Sequence, residues 1–377
     1  MTDIREYLAR KPLLFDGGMG TYYKAAPGAD CEMANLTDPE GVKKVHAEYL
    51  AAGAQAIKTN TFGLPRMAAA QMPGWEELAE AGWKLACDAA AEKDAAVFAD
   101  LGPAPDTEAA PASSAYGLVA QQFAALGAKN FLFETLSSDV GIVEAVKALR
   151  VAVPDAFVMV SFAVLPDGYT REGMYSKDLV RRMTESGIVD AVGFNCVSAP
   201  GAMRTLVQQL GSTALPLSVM PNAGYPVVTR TQVKYQGKPE YFAKELARIA
   251  AEGVRILGGC CGTTPAHIAA LRAALDSLPA VEKAAPTVQV STPEAPTVEK
   301  DDAFLRKLNA GKKVIAIELD SPKDADLTNY LAGAKRLQAA GADLLTIADC
   351  PIARARMDSS LVACRVHREL GMNVLPH

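Results

Sequence analysis

Three cysteines carry the most specific chemical signal in this chain: Cys196 closes GFNC, and Cys260 and Cys261 stand side by side in GGCCG. Thiolate sulfur is a soft ligand suited to zinc. Three such ligands leave the fourth corner of a tetrahedron open, the arrangement of a catalytic zinc and not of a closed structural one. Cysteine is also an ordinary small core residue, which is the plainer account of Cys196 taken alone but a weaker one for an adjacent pair framed by glycines. The four histidines, His46, His267, His367 and His377, fall away from the ends of the expected barrel strands, so a histidine-rich metal site is not expected.

A second group could hold a small polar substrate. FDGGMGT, residues 15–21, places Gly17, Gly18 and Gly20 where backbone N–H groups can approach an anion, and it matches neither G-x-G-x-x-G nor G-x-x-x-x-G-K. A substrate carboxylate is therefore the expected guest, with Asp16 beside it for an ammonium group; a plain turn is the alternative. Glu134 ends the otherwise apolar FLFET, where a carboxylate is either functional or salt-bridged. Asn60 in KTNTFG and Asp100 in ADLGP have the same two readings.

These residues can meet only if the elements bring them together. Short β-branched or apolar runs at 13–15, 56–58, 97–99, 131–133, 157–162, 191–194, 217–219 and 255–257 read as eight strands. Helical patterns at 39–52, 75–93, 113–126, 138–151, 177–185, 241–251 and 265–275 lie between them, with Asp38 and Thr264 as N-caps before Pro39 and Pro265. Eight such alternations in about 250 residues fit a (β/α)8 TIM barrel, with a doubly wound open sheet as the competing architecture. In a parallel barrel the strand ends share one mouth. Asp16, Thr59, Asn60, Asp100, Glu134, Asn195, Cys196, Asn222, Cys260 and Cys261 all fall there.

Of 377 residues, 50% are hydrophobic and 21% charged, and 38 basic against 43 acidic residues leave a net charge of −5. A large core can form, and nothing in the balance attracts nucleic acid or an anionic membrane. No apolar run reaches the ~20 residues of a membrane span, and the N-terminal residues do not read as a secretory signal. Seven cysteines in a chain of this kind favour thiols or metal ligands over disulfides, and a cytoplasmic location is expected.

FDGGMGT, IKTNTFG, FLFET, GFNC and GGCCGTTPAHI, in this order and at these separations, resemble the homocysteine S-methyltransferase family over about residues 10–278. The resemblance implies a (β/α)8 barrel in which Cys196, Cys260 and Cys261 bind Zn2+ and methionine is made from homocysteine. It further implies that Asp16 and Glu134 hold the homocysteine amino group, with the amides of Gly17 and Gly18 near its carboxylate. The methyl donor is expected to be methyltetrahydrofolate or a methylated corrinoid protein, with a sulfonium or betaine also open. Two other readings stand beside it: a zinc methyltransferase for another thiol or selenol, and a non-catalytic zinc or thiol redox-sensing scaffold. Asp16, Glu134 and the glycine loop speak against the scaffold, because a sensor has no use for an amino-acid site.

The domains expected are a barrel over 1–278, a Pro/Ala-rich linker over 279–300, and an incomplete second βα-repeat region over 301–377. In the last, strands ending at Glu318, spanning 344–347 and running into His377 alternate with helices near 326–340 and 362–370. This resembles the N-terminal fragment of methylenetetrahydrofolate reductase, as fused behind homocysteine methyltransferases in bifunctional bacterial proteins, with Glu318 matching its proton-donating glutamate. A complete reductase barrel needs ~200 further residues, so the flavin site and most of the folate pocket are expected to be missing.

Overall fold

The computed structural model describes residues 3–23, 31–228, 233–235, 237–278, 303–323, 326–349 and 356–377. The chain divides into two compact units, Met1–Gln289 and Val290–His377. The expected linker over 279–300 and Cys350 lie outside the described residues.

The first unit is an eight-stranded parallel barrel: β1 (Leu13–Leu14), β2 (Ala56–Lys58), β3 (Ala96–Leu101), β4 (Asn130–Leu136), β5 (Phe157–Phe162), β6 (Ala191–Asn195), β7 (Leu217–Met220) and β8 (Ile256–Leu257). Each strand pairs in parallel with the next from β2 to β8, and β8 pairs with β1. The circle closes where Phe15 bridges Ala56 in parallel, with Asp16 N–H donating to Ala56 O at 3.0 Å and Gln55 N–H to Leu14 O at 2.7 Å. A closed ring excludes the open doubly wound sheet.

Strand side chains alternate between two apolar layers, as the two-residue period of a strand requires. Leu13, Phe15, Ala56, Phe98, Leu132, Phe157, Met159 and Ala191 fill the barrel interior, and Ile4 and Leu8 of the helix Ile4–Arg10 join that cluster. Leu14, Phe131, Phe133, Val158, Val160, Val192 and Phe194 pack outward under the helices. The same parity carries upward: Lys58, Asp100, Glu134 and Ser161 each stand two residues beyond an inward apolar residue, at 56, 98, 132 and 159. The interior is therefore apolar below and charged at the mouth.

Helix starts follow their caps. Asp38 Oδ1 accepts from Gly41 N–H at 3.1 Å ahead of Pro39–Ala51. Thr264 N–H donates to His267 Nδ1 at 3.2 Å, and His267 Nε2 lies 3.2 Å from Gly237 O, so the tautomer carrying hydrogen on Nε2 satisfies both contacts. A helix over Pro200–Leu210, outside the expected set, completes the alternation after β6. The segment following β7 also carries an antiparallel pair, Pro226–Val228 with Val233–Tyr235, that no periodicity announced.

The second unit is a three-stranded parallel sheet in the order β9 (Ala316–Glu318), β10 (Leu344–Ile347), β11 (Asn373–Pro376), with helices Thr328–Ala339 and Ser359–Leu370 between the strands. Its core is Tyr330, Ala334, Leu345, Ile347, Val362 and Val366, and Glu318 is exposed at the end of β9.

Candidate active site

The mouth of the barrel encloses a cavity of about 370 Å³ whose walls include Gly17, Gly18, Lys58, Asn60, Asp100, Glu134 and all three of Cys196, Cys260 and Cys261. The sulfurs of those cysteines lie within 4.8 Å of one another, with Cys196 Sγ 3.8 Å from Cys261 Sγ. A tetrahedral metal with bonds of about 2.3 Å to sulfur separates its ligands by about 3.8 Å, so the donor set fits such an ion. All six described cysteines are free thiols.

Backbone strain delivers the first sulfur. Cys196 and Val197 sit at φ 57° and 33°, a region that costs a β-branched residue on the order of 1–3 kcal/mol. The bend is pinned by Cys196 N–H donating to Met220 O at 3.1 Å, while Cys260 N–H donates to Pro221 O at 2.9 Å and Ala223 N–H to Cys261 O at 2.9 Å. The end of β7 thus holds both sulfur loops. Hydrogen bonds from Cys196 and Cys260 pull the Cys261 thiol down to about 3, whereas those to Cys196 and Cys261, with burial, push Cys260 well up.

The glycine loop is locked against this centre. Gly18 N–H donates to Thr263 Oγ1 at 3.0 Å, and Thr263 Oγ1 donates to Cys260 O at 2.6 Å. Tyr49 Oη donates to Gly18 O at 3.2 Å and Thr263 O at 3.0 Å, and Gly262 N–H donates to Thr21 Oγ1 at 2.9 Å. Glycine is required by contact: a Cβ on Gly17 would lie 2.5 Å from Thr263 Oγ1, and one on Gly18 would lie 2.7 Å from Cys260 O.

Across the cavity stand three buried carboxylates and one buried ammonium. Asp16 is engaged by Lys58 on both oxygens, Oδ1 accepting from Nζ at 2.6 Å and Oδ2 from the Lys58 amide at 3.0 Å. Burial raises the Asp16 carboxyl and Lys58 pulls it back; burial works against the Lys58 ammonium, but Asp16, Glu134 and Asp100 together hold its pKa above the ordinary value. Burial also lifts Glu134 to about 7 and, together with Glu134, lifts Asp100 well above the usual range. Asn195 positions Glu134: its Nδ2 donates to Glu134 Oε2 at 3.0 Å and to Thr135 Oγ1 at 2.7 Å, and its Oδ1 accepts from Thr135 N–H and Ser161 Oγ, both at 2.9 Å. Asn60 lines the wall, but its Nδ2 is spent on Cys31 O at 2.8 Å and Asn35 Oδ1 at 3.0 Å.

The geometry gathers every site residue expected from sequence, Asp16, Gly17, Gly18, Asn60, Glu134, Cys196, Cys260 and Cys261, into one mouth. Lys58 and Thr263 were not anticipated there, and Asn195, expected at the mouth, was given no partner. Lys58 was readable from the parity of β2, which places it inward; the partners of Asn195 and Thr263 come from distant strands and leave no local signal.

The family model for homocysteine S-methyltransferase matches residues 13–275, from β1 through the last helix of the barrel. The chain belongs to this family. Among its relatives are methionine synthase of Mycobacterium tuberculosis, 31% identical over 311 residues, and homocysteine S-methyltransferase of Escherichia coli, 28% identical over 296 residues. The match covers 75% of this chain and 26% of the methionine synthase, and 69% of this chain and 94% of the E. coli enzyme, so the chain spans about a quarter of the length of the longer relative. Among solved structures, the metallated form of the E. coli homocysteine methyltransferase MmuM superposes with a TM-score of 0.58 at 26% identity, covering 72% of this chain and 99% of that one. Its apo form gives a TM-score of 0.52 at 29% identity, over 70% and 96%. No helix among the described residues is long and apolar enough to cross a membrane.

Proposed function

We propose that this family member transfers a methyl group to the thiol of homocysteine, giving methionine, and that Zn2+ is held by Cys196, Cys260 and Cys261. The observation that carries the reading is the juxtaposition, in one cavity, of a three-sulfur ligand set and a cluster of buried acids. The first suits a thiol, the second an ammonium group, and homocysteine carries both. The E. coli relative crystallised in a metallated form supports the metal.

Bound zinc supplies the positive charge that lets a thiol of ordinary pKa, roughly 8.5, lose its proton at neutral pH. The chain does the rest by placement. The turn at Gly17 presents its backbone to the substrate carboxylate, the Gly18 N–H being already given to Thr263 Oγ1, and the acids at the ends of β3 and β4 take the ammonium, so that the sulfur is presented toward Cys196 and Cys260–Cys261. A lone pair on that sulfur forms the new S–C bond as the bond from methyl to donor breaks, its electron pair leaving with the donor. A thioether carries no charge, so the product would be held less tightly than the thiolate by zinc at Cys196, Cys260 and Cys261.

For the donor we propose methyltetrahydrofolate or a methylated corrinoid protein. We read 1–278 as the methyltransferase, and 301–377 as the beginning of a reductase-like barrel that takes no part in methyl transfer. Free cysteines throughout the described residues fit a reducing, cytoplasmic compartment. Methionine formation assayed with methyltetrahydrofolate, methylcobalamin, S-methylmethionine and betaine in turn, with and without a zinc chelator, tests the reading. Chelator-sensitive turnover with one donor is expected; turnover indifferent to chelation contradicts it.

A further inference from the structure

Lys58 changes what the acidic side of the cavity can recognise. Its Nζ and its own amide occupy one oxygen each of Asp16, at 2.6 and 3.0 Å, and the Nζ–carboxylate pair is buried with side chains 9% and 3% exposed. Asp16 therefore already holds an ammonium group, supplied by the protein. Asp100 is in the opposite condition: it is 4% exposed, it lines the cavity, and its Oδ1 is enclosed with no hydrogen-bond partner. A buried carboxylate oxygen without a donor is costly, and a donor arriving with a ligand removes the cost. Placement points the same way. Asp16, Asp100 and Glu134 are all buried about the single Lys58, which is spent on Asp16, so an ammonium entering the cavity meets Asp100 and Glu134 as its carboxyl neighbours.

We propose that in this chain the ammonium of the substrate is recognised by Asp100 together with Glu134, Lys58 having taken Asp16 out of that role. The backbone of Asp100 is fixed independently of its carboxylate, its N–H donating to Thr59 Oγ1 at 3.0 Å and its O accepting from Thr61 Oγ1 at 2.9 Å. The side chain is thus free to act on a ligand without holding the strand. Glu134 is fixed by Asn195 on Oε2 at 3.0 Å. Asp16 and Lys58 then form a neutral wall that shapes the pocket and excludes a second amine. This inference rests on the proposed amino-acid acceptor and adds which carboxylates discriminate it.

The test compares homocysteine with 4-mercaptobutanoate, the same thiol acid without the amino group, by calorimetric titration of the zinc-loaded full chain. Wild type is expected to prefer homocysteine, and Asp100→Asn to abolish most of that preference through a roughly 10–100-fold rise in the homocysteine Kd, the size of one or two lost charge-assisted hydrogen bonds. Asp100→Ser reads the same ratio should the amide variant fail to fold. Adding Lys58→Met to Asp100→Asn frees Asp16 and is expected to recover part of the preference. An unchanged preference in Asp100→Asn, an equal weakening of both thiols, or no recovery in the double variant overturns the assignment. Wild type that binds neither thiol overturns the homocysteine reading itself, a failure distinguishable from the others because it precedes any substitution.

Discussion

Replacing Gly18 by alanine tests the coupling between the glycine loop and the sulfur centre. The new Cβ would lie 2.7 Å from the carbonyl oxygen and 3.2 Å from the carbonyl carbon of Cys260. That peptide cannot easily yield, since its oxygen accepts from Thr263 Oγ1 at 2.6 Å and the Cys260 N–H is tied to Pro221 O at 2.9 Å. Restoring an ordinary contact of 3.4 Å requires about 0.7 Å of separation. Metal–ligand distances tolerate only about 0.2 Å, so most of that displacement must be absorbed by moving Cys260 out of place or by expelling the loop. We expect Gly18→Ala to weaken zinc binding by about 10–100-fold, as loss of a supporting shell does elsewhere, and to cost about 1–3 kcal/mol of stability from overpacking. Competition against a chromogenic chelator reads the first, a thermal melt the second. Gly117→Ala is the control: nothing lies within 4 Å of its Cβ, it sits inside the helix Ala112–Ala125, and it should raise stability by about 0.5–1 kcal/mol. Unaltered zinc affinity in Gly18→Ala would refute the coupling.

Alanine at Cys196, Cys260 or Cys261 should remove metal and methyl transfer together, as read by metal analysis and methionine formation, because two remaining thiolates make a poor site. Asn195→Ala leaves Glu134, the Thr135 N–H and the Ser161 hydroxyl short of a partner each, so a loss of about 2–4 kcal/mol by denaturant titration and a raised homocysteine KM are expected with the metal retained. The Glu134 carboxyl is raised by burial from 4.5 to about 7, so the folded state keeps a proton that the unfolded chain has lost between those values. Its contribution therefore favours the fold below about pH 4.5 and costs about 3 kcal/mol once pH passes 7. The Tm should fall over that interval, and Glu134→Gln should flatten the fall; an unchanged pH slope in the variant would place the titration elsewhere.

The strands were legible because β-branched and aromatic runs such as 157–162 admit no helical reading, and the strand ends at Asp16, Asp100, Glu134 and Cys196 announced the mouth. The sulfur centre was legible too, because an adjacent cysteine pair between glycines has few packing explanations. Lys58 escaped although the two-residue period puts it on the inward face of Ala56, because a lysine ending a short strand suggests solvent; the closed ring brings it onto Asp16 instead. Thr263, and the role of Asn195 at the mouth where it was expected, escaped for a different reason. Each acts through partners more than 30 residues away in sequence, Asn195 on Glu134 and Ser161, Thr263 on Gly18, and no spacing rule encodes such contacts. The helix Ile4–Arg10 was opaque because its contribution is to place Ile4 and Leu8 among interior residues that the strands alone supply in the sequence pattern.

Zinc K-edge X-ray absorption of the zinc-loaded protein, recorded before and after homocysteine is added, bears most directly on the claim that this site activates a thiol. Three sulfur neighbours at about 2.3 Å are expected in the free protein and four in the presence of homocysteine, with 4-mercaptobutanoate giving the same change only at higher concentration. A sulfur count that stays at three when homocysteine is saturating, or a spectrum dominated by nitrogen and oxygen in the free protein, would contradict it.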